Sequence, residues 1–264
     1  MDVEKQYIAC LDSGIGGISV LGAARRLMPE ENFIYFGDLA HAPYGDKPVA
    51  MVRKIVLEQV EKLQDYGLKA LLLACNTATS ATVASLRQQL AIPVLGMEPA
   101  LKPAMTGSAG TVLVLATALT LREKKFAALL AKLKAEHAGR EVLPLPCPGL
   151  MELIENEAAE SQTARYLEEL LAPYAARMVA AVLGCTHYVF LRPLLHKMYP
   201  KLALFDGNQG VCRHLQRSLA ERQLLGGRGE LRFMTSLEGP AGAKFVEKCQ
   251  RFLQKADAME EIGQ

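Results

Sequence analysis

Charge of one sign is scarce in this 264-residue chain: 30 Lys and Arg stand against 28 Asp and Glu, so the formal charge is 30 − 28 = +2. So slight an excess gives no reason to expect nucleic acid or an anionic membrane as a partner. No run of basic residues interleaved with aromatics is present either. Long hydrophobic runs are missing too. The most apolar stretch, Thr111 to Leu121, is too short to cross a bilayer core of about 30 Å as a helix. The opening Met1-Asp2-Val3-Glu4-Lys5-Gln6 carries acid where a secretory signal carries base, and no apolar h-region follows. The six cysteines (Cys10, Cys75, Cys147, Cys185, Cys212, Cys249) include no CxxC pair and no tight framework. Such spacing argues against a disulfide scaffold and predicts reduced thiols in a cytoplasmic protein. Cys185-Thr186-His187 offers two ligands for zinc, but nothing nearby completes a set of known spacing, so no metal site is expected.

Half of the residues are apolar and 22% are charged, a globular composition long enough for one large or two medium domains. Short apolar runs rich in Ile, Val and Leu alternate with longer segments of helical period. Tyr7–Leu11, Phe33–Phe36, Ala70–Ala74, Val94–Gly96, Thr111–Ala116, Val142–Leu145, Met178–Gly184, Leu202–Phe205 and Leu231–Met234 read as strands. Their near-continuous apolarity predicts parallel sheets buried on both faces. Val49–Tyr66 repeats apolar residues at steps of three or four and is followed by Gly67, the pattern of an amphipathic helix with its C-cap. Leu121–Ala138, Ser161–Tyr174, Leu191–Met198, Val211–Leu224 and Ala243–Gln254 behave similarly. Strand–helix alternation of this kind predicts an α/β fold.

One internal echo organises the chain. Ala70-Leu71-Leu72-Leu73-Ala74-Cys75-Asn76-Thr77 and Ala180-Ala181-Val182-Leu183-Gly184-Cys185-Thr186-His187 share a plan: an apolar strand, a small residue, a cysteine, hydrogen-bonding residues, then a helix. Two such units predict two similar α/β lobes, each presenting a cysteine at the carboxyl end of a strand, where open α/β sheets bind ligands. The expected division assigns 1–97 with 208–264 to the first lobe and 98–207 to the second, with the join in the Pro-rich stretch Pro93–Pro103.

The chemistry is read from these strand ends. Asp12-Ser13-Gly14-Ile15-Gly16-Gly17 follows the first strand, and a helix starting at Ile18 would aim N–H groups at a carboxylate or phosphate. The loop lacks the GxGxxG spacing of a dinucleotide site, and the plain alternative is a tight strand-to-helix turn. Asp12 ends an apolar strand and needs a partner or a task; capping the next helix is the ordinary one. A lone strand-end cysteine is more often a small buried hydrophobe. Two at matching positions supply a base on one face of a carbon centre and an acid on the other, since a thiol of pKa near 8.5 is readily poised as either. His187 can assist one thiol and Asp12 the other. His41-Ala42-Pro43-Tyr44-Gly45 forms a turn after Phe36-Gly37-Asp38, either facing a ligand or simply lying on the surface. Cys10, Cys147, Cys212 and Cys249 match neither cysteine pattern and read as structural. Gly226-Gly227-Arg228-Gly229 reads as a hairpin or loop.

Taken together, Asp12-Ser13-Gly14-Ile15-Gly16-Gly17, Pro43-Tyr44-Gly45, Ala74-Cys75-Asn76-Thr77-Ala78 and Leu183-Gly184-Cys185-Thr186-His187-Tyr188 resemble the four signatures of bacterial glutamate racemases, in order and spacing, over about Tyr7 to Leu253. The resemblance implies a cofactor-independent enzyme of two pseudosymmetric α/β lobes with the active site in the cleft between them. It implies that Cys75 deprotonates D-glutamate and Cys185 L-glutamate, that Asp12 assists the first thiol and His187 the second, and that Glu155 is a further acidic residue beside the second. Ser13, Pro43, Tyr44, Gly45, Asn76, Thr77, Thr117, Thr120 and Thr186 match positions that hold the substrate, together with Asp12, His187 and the two cysteines. The family supplies D-glutamate for peptidoglycan and usually forms homodimers. Glu152, Ala116 and the segment Phe205-Asp206-Gly207-Asn208-Gln209-Gly210 depart from the family pattern. A racemase of another acidic amino acid such as aspartate, and a non-catalytic amino-acid-binding protein, are the alternatives.

Overall fold

The computed structural model describes residues 3–107, 110–137 and 139–262, the last three by their backbone alone. Two compact units emerge, one from Met1–Glu98 with Asn208–Gln264 and the other from Pro99–Gly207.

In the first unit the chain runs β1 (Tyr7–Asp12), α1 (Ile18–Leu27), β2 (Phe33–Gly37), α2 (Val49–Gln64), β3 (Leu68–Leu73), α3 (Asn76–Gln89) and β4 (Val94–Gly96). The second contains α4 (Leu101–Gly107), β5 (Thr111–Ala116), α5 (Ala118–Arg122), α6 (Lys124–Glu136), β6 (Val142–Pro146), α7 (Leu150–Glu155), α8 (Glu160–Leu171), β7 (Met178–Leu183), α9 (Arg192–Met198) and β8 (Ala203–Phe205). The chain then returns to the first unit as α10 (Asn208–Glu221), β9 (Leu231–Thr235) and α11 (Gly239–Ile262).

Every strand pair is parallel. The first sheet has the order β4-β3-β1-β2-β9 and the second β6-β5-β7-β8. Read from its other edge, the second is β8-β7-β5-β6, the same order as β4-β3-β1-β2, so β9 is an addition to the first lobe alone. The likeness extends to the register: β1 and β3 slip by one residue between Tyr7 and Ile8, and β5 and β7 slip between Thr111 and Val112. Cys75 and Cys185 therefore occupy equivalent places, each two residues beyond the strand that pairs with the central strand of its own sheet.

β1, β2, β3 and β5 are buried along their whole length, which keeps them mainly apolar, whereas the edge strands β6, β8 and β9 are only partly buried and β9 exposes Arg232, against the expectation of burial on both faces for every strand. Ala9, Leu11, Ile34, Leu71 and Leu73 pack with Val52, Val56, Val60 and Leu63 of α2 and with Ala78 and Leu86 of α3. On the other side α1 packs against α10 and α11. In the second lobe Val112, Val114, Ala180 and Val182 pack with Leu101, Ala104 and Met105 of α4 and with Phe126 and Leu133 of α6. Each fully buried Val, Leu or Ile side chain among them contributes about 1.5–3 kcal/mol relative to its exposed state.

Two readings of the sequence need correction. The helical period over Leu121–Ala138 spans two helices, α5 and α6, separated by Glu123 in an extended conformation (φ −66, ψ 137). Periodicity does not register a break of one residue; Ala138 itself lies outside the described residues. The Gly226–Gly229 segment is more than a connecting loop. The Asn32 side-chain oxygen accepts from the N–H groups of Arg228 (2.8 Å) and Glu230 (3.1 Å), and Glu31 Oε1 from that of Gly226 (2.8 Å). Buried Lys69 binds both the Glu31 carboxylate and the Gly226 carbonyl. A Cβ at Gly227 would lie 2.5 Å from the Glu30 carbonyl oxygen, so the close docking that lets β9 join β2 requires glycine.

Candidate active site

In the first lobe the order β3-β1-β2 brings three strand ends together, and with them Cys75, Asp12–Ser13 and Asp38. Cys75 is the N-cap of α3, and its Sγ accepts from the Ala78 N–H at 3.4 Å. That N–H and the positive end of a 14-residue helix favour negative charge on the sulfur. The Ser13 hydroxyl lies 3.8 Å from the same sulfur.

Asp12 is fully buried, and its Oδ1 accepts from the Gly14 N–H at 2.8 Å. The N-cap of α1 is Gly17, which brings no capping side chain of its own. The N–H groups of Ile18 and Ser19 turn back to the carbonyls of Ile15 and Gly16, both at 3.1 Å, instead of pointing outward as the loop sequence suggests. Gly17 is a steric necessity here: a Cβ would fall 2.7 Å from Asp12 Cβ and 2.9 Å from Ala74 Cβ.

The Pro43-Tyr44-Gly45 turn is not a surface feature at its centre. Tyr44 is buried, and its hydroxyl donates to Asp38 Oδ2 at 2.6 Å, while Asp38 Oδ1 lies 2.7 Å from His41 Nδ1. Burial, then the Asp38 carboxylate, drive the Tyr44 phenol far above its ordinary value, and the charges of Cys75 and Asp12 reach it as well. Tyr44 is thus a fixed neutral group beside the thiol. Asn76 and Thr77, the first two residues of α3, are buried behind Cys75.

The second lobe holds its cysteine differently. Cys185 precedes a 3-10 turn, Thr186–Leu191, and has no capping bond. Its Sγ lies 3.7 Å from His187 Nδ1, and His187 Nε2 lies 2.8 Å from Glu155 Oε1. Burial disfavours the imidazolium, but hydrogen bonding and charge from Cys185 and Glu155 outweigh it and raise His187 to about 10. The imidazole therefore favours its charged form where the Cys185 sulfur and the Glu155 carboxylate carry negative charge. Thr186 is buried in the same turn. Thr117 caps α5, accepting from the Thr120 N–H at 3.3 Å, and the two hydroxyls are 2.9 Å apart.

Two further residues stand at equivalent positions beside these strand ends. Asp38 follows β2, its N–H bonded to the Asp12 carbonyl; Cys147 follows β6, its N–H bonded to the Ala116 carbonyl. Cys147, read as structural, lies within electrostatic reach of Cys185, though burial first and that neighbour second push it up to about 12 and hold it as a thiol. The Tyr188 hydroxyl donates to the Cys147 carbonyl at 3.3 Å. The only signal for Asp38 was a strand-end carboxylate three residues before a histidine and six before a tyrosine. All six cysteines are buried outside disulfides. Among the described residues no cluster of three or more His, Cys, Asp or Glu is arranged for a metal, and no helix is long and apolar enough to cross a membrane.

The pattern that defines the Asp/Glu/hydantoin racemases matches residues 22–215, and the chain belongs to that family. Within it, the similarity is to glutamate racemases. That of Clostridium perfringens strain SM101 is 44% identical over 245 residues, which cover 90% of this chain and 93% of that protein. The structure of Escherichia coli glutamate racemase in complex with L-glutamate and the activator UDP-MurNAc-Ala superposes with a TM-score of 0.83 at 27% identity, covering 94% of this chain and 95% of that one. Glutamate racemase from Francisella tularensis in complex with D-glutamate gives 0.79 at 28% identity, covering 95% and 94%.

Proposed function

We propose that the chain interconverts L- and D-glutamate by a two-base mechanism without metal or organic cofactor, Cys75 and Cys185 serving opposite faces of Cα. One thiolate removes the α-proton, and the other thiol delivers a proton to the far face; the roles exchange with direction. Asp12 assists Cys75, and the imidazolium of His187, held by Glu155, assists Cys185. Ser13, Pro43, Tyr44, Gly45, Asn76, Thr77, Thr117, Thr120 and Thr186 bind the substrate's carboxylates and ammonium. The product serves peptidoglycan synthesis, and the enzyme acts as a cytoplasmic homodimer. The observation that carries this reading is the pair of cysteines at equivalent strand ends of two lobes with one topology. The likeness to glutamate racemases supports glutamate over aspartate, and a binding protein has no use for matched thiols.

The test is a chiral assay in heavy water. L-Glutamate should become D-glutamate carrying deuterium at Cα, with aspartate inert and chelator without effect. Cys75→Ala and Cys185→Ala should each abolish net racemisation. Full activity in either variant would refute the two-thiol mechanism.

A further inference from the structure

The two cysteines are held by unlike means, and the difference singles out a residue in the first lobe. Cys185 has His187 and Glu155 behind it, whereas the position equivalent to His187 is Thr77 and Cys75 caps the helix that starts beside it. Four residues on, where the second lobe has Val189, the first has Thr79. The Thr79 N–H closes the first turn of α3 on the Cys75 carbonyl at 2.9 Å. Its hydroxyl donates to the Leu73 carbonyl, at the end of β3, and accepts from the Met97 N–H, just past β4, both at 3.1 Å. One buried hydroxyl thus joins two strand ends to the turn that presents Ala78 N–H to Cys75 Sγ. Gly96 leaves room for it: a Cβ there would meet Thr79 Cγ2 at 2.4 Å.

We propose that Thr79 is a positioning residue for the Cys75 thiol, fixing the first turn of α3 so that its N–H stays aimed at the sulfur. This rests on the reading of Cys75 as a proton carrier. The fold does not depend on it, because the Met97 N–H also bonds the Leu73 carbonyl at 3.0 Å and keeps that partner when the hydroxyl is removed. What is lost is the tie between those strand ends and the helix start. Displacing a reacting group by a fraction of an ångström slows the chemical step.

Thr79→Val keeps the shape and removes the hydroxyl; Thr79→Ser keeps the hydroxyl. In the valine variant kcat should fall by about tenfold to a hundredfold, and the serine variant should stay close to the parent. Independently of turnover, alkylation of Cys75 by iodoacetamide, followed by peptide mass across pH, should shift to higher pH in the valine variant and return in the serine variant. Gly96→Ala, which pushes on Thr79 from outside, should produce the same alkylation shift. Unchanged kcat and alkylation in Thr79→Val, or equal losses in valine and serine, overturn the proposal. A parent protein that fails to racemise glutamate while the valine variant still shifts Cys75 alkylation refutes the glutamate reading and upholds the positioning role.

Discussion

Replacing Glu155 by Gln isolates what holds the charge behind Cys185. His187 is buried, and burial alone would drive its pKa below the ordinary 6.5; Cys185 and Glu155 together raise it to about 10. At pH 8 a group of pKa near 10 is about 99% protonated, and one of pKa 6.5 about 3%. The neutral amide removes one of the two supports, so the midpoint should move down. The same shift fixes the sign of a stability effect. The folded pKa exceeds the unfolded one, so this contribution is fully present below pH 6.5 and is lost as pH rises from 6.5 through about 10. The loss can reach about 1.4 kcal/mol per pH unit, the limit for one proton. The assay is an NMR titration of the His187 ring with urea unfolding at pH 6, 8 and 10, in the parent and in Glu155→Gln. A parent midpoint near 6.5, or a midpoint that the substitution leaves in place, would refute the account.

Removing the Tyr44 hydroxyl should cost about 1.5–3 kcal/mol in urea unfolding, because it bonds a buried carboxylate oxygen. A Tyr44→Phe protein as stable as the parent would mean that Asp38 is held by other groups. Lys69→Met should destabilise by about 3–5 kcal/mol by stranding Glu31. Adding Glu31→Gln should restore most of this, and a double variant no better than the single one would contradict the ion-pair reading.

Residues placed by the end of their own strand were legible in the sequence, and residues placed by contacts through space were not. Cys75, Cys185 and Asp12 announced themselves because an apolar run ends at each, and a parallel sheet aligns such ends. Among the described residues the strands were readable as short apolar runs, because burial leaves little room for polar residues along β1, β2, β3 and β5, while β6, β8 and β9 keep an apolar run although they are partly exposed. Thr79 and Asp38 were silent because their partners lie 18 residues ahead at Met97 and six ahead at Tyr44, spacings that no helical or strand period picks out. Helix α7 was missed because six residues hold too few turns to show a period, and packing rather than propensity stabilises it. The direction of the N–H groups at Ile18 and Ser19 was misread because a glycine-rich loop can also fold its donors back on itself.

The excursion of the chain into the second lobe has a consequence for synthesis. Residues 99–207 are contiguous and complete their sheet as they emerge, whereas the first lobe waits for α10, β9 and α11. Until Leu231–Thr235 arrives, the outer edge of β2 has open backbone groups, and such edges invite pairing with other chains. A nascent chain halted after Gly207 should therefore carry a protease-resistant second lobe and a sensitive first one, the earlier-made half being the last to close.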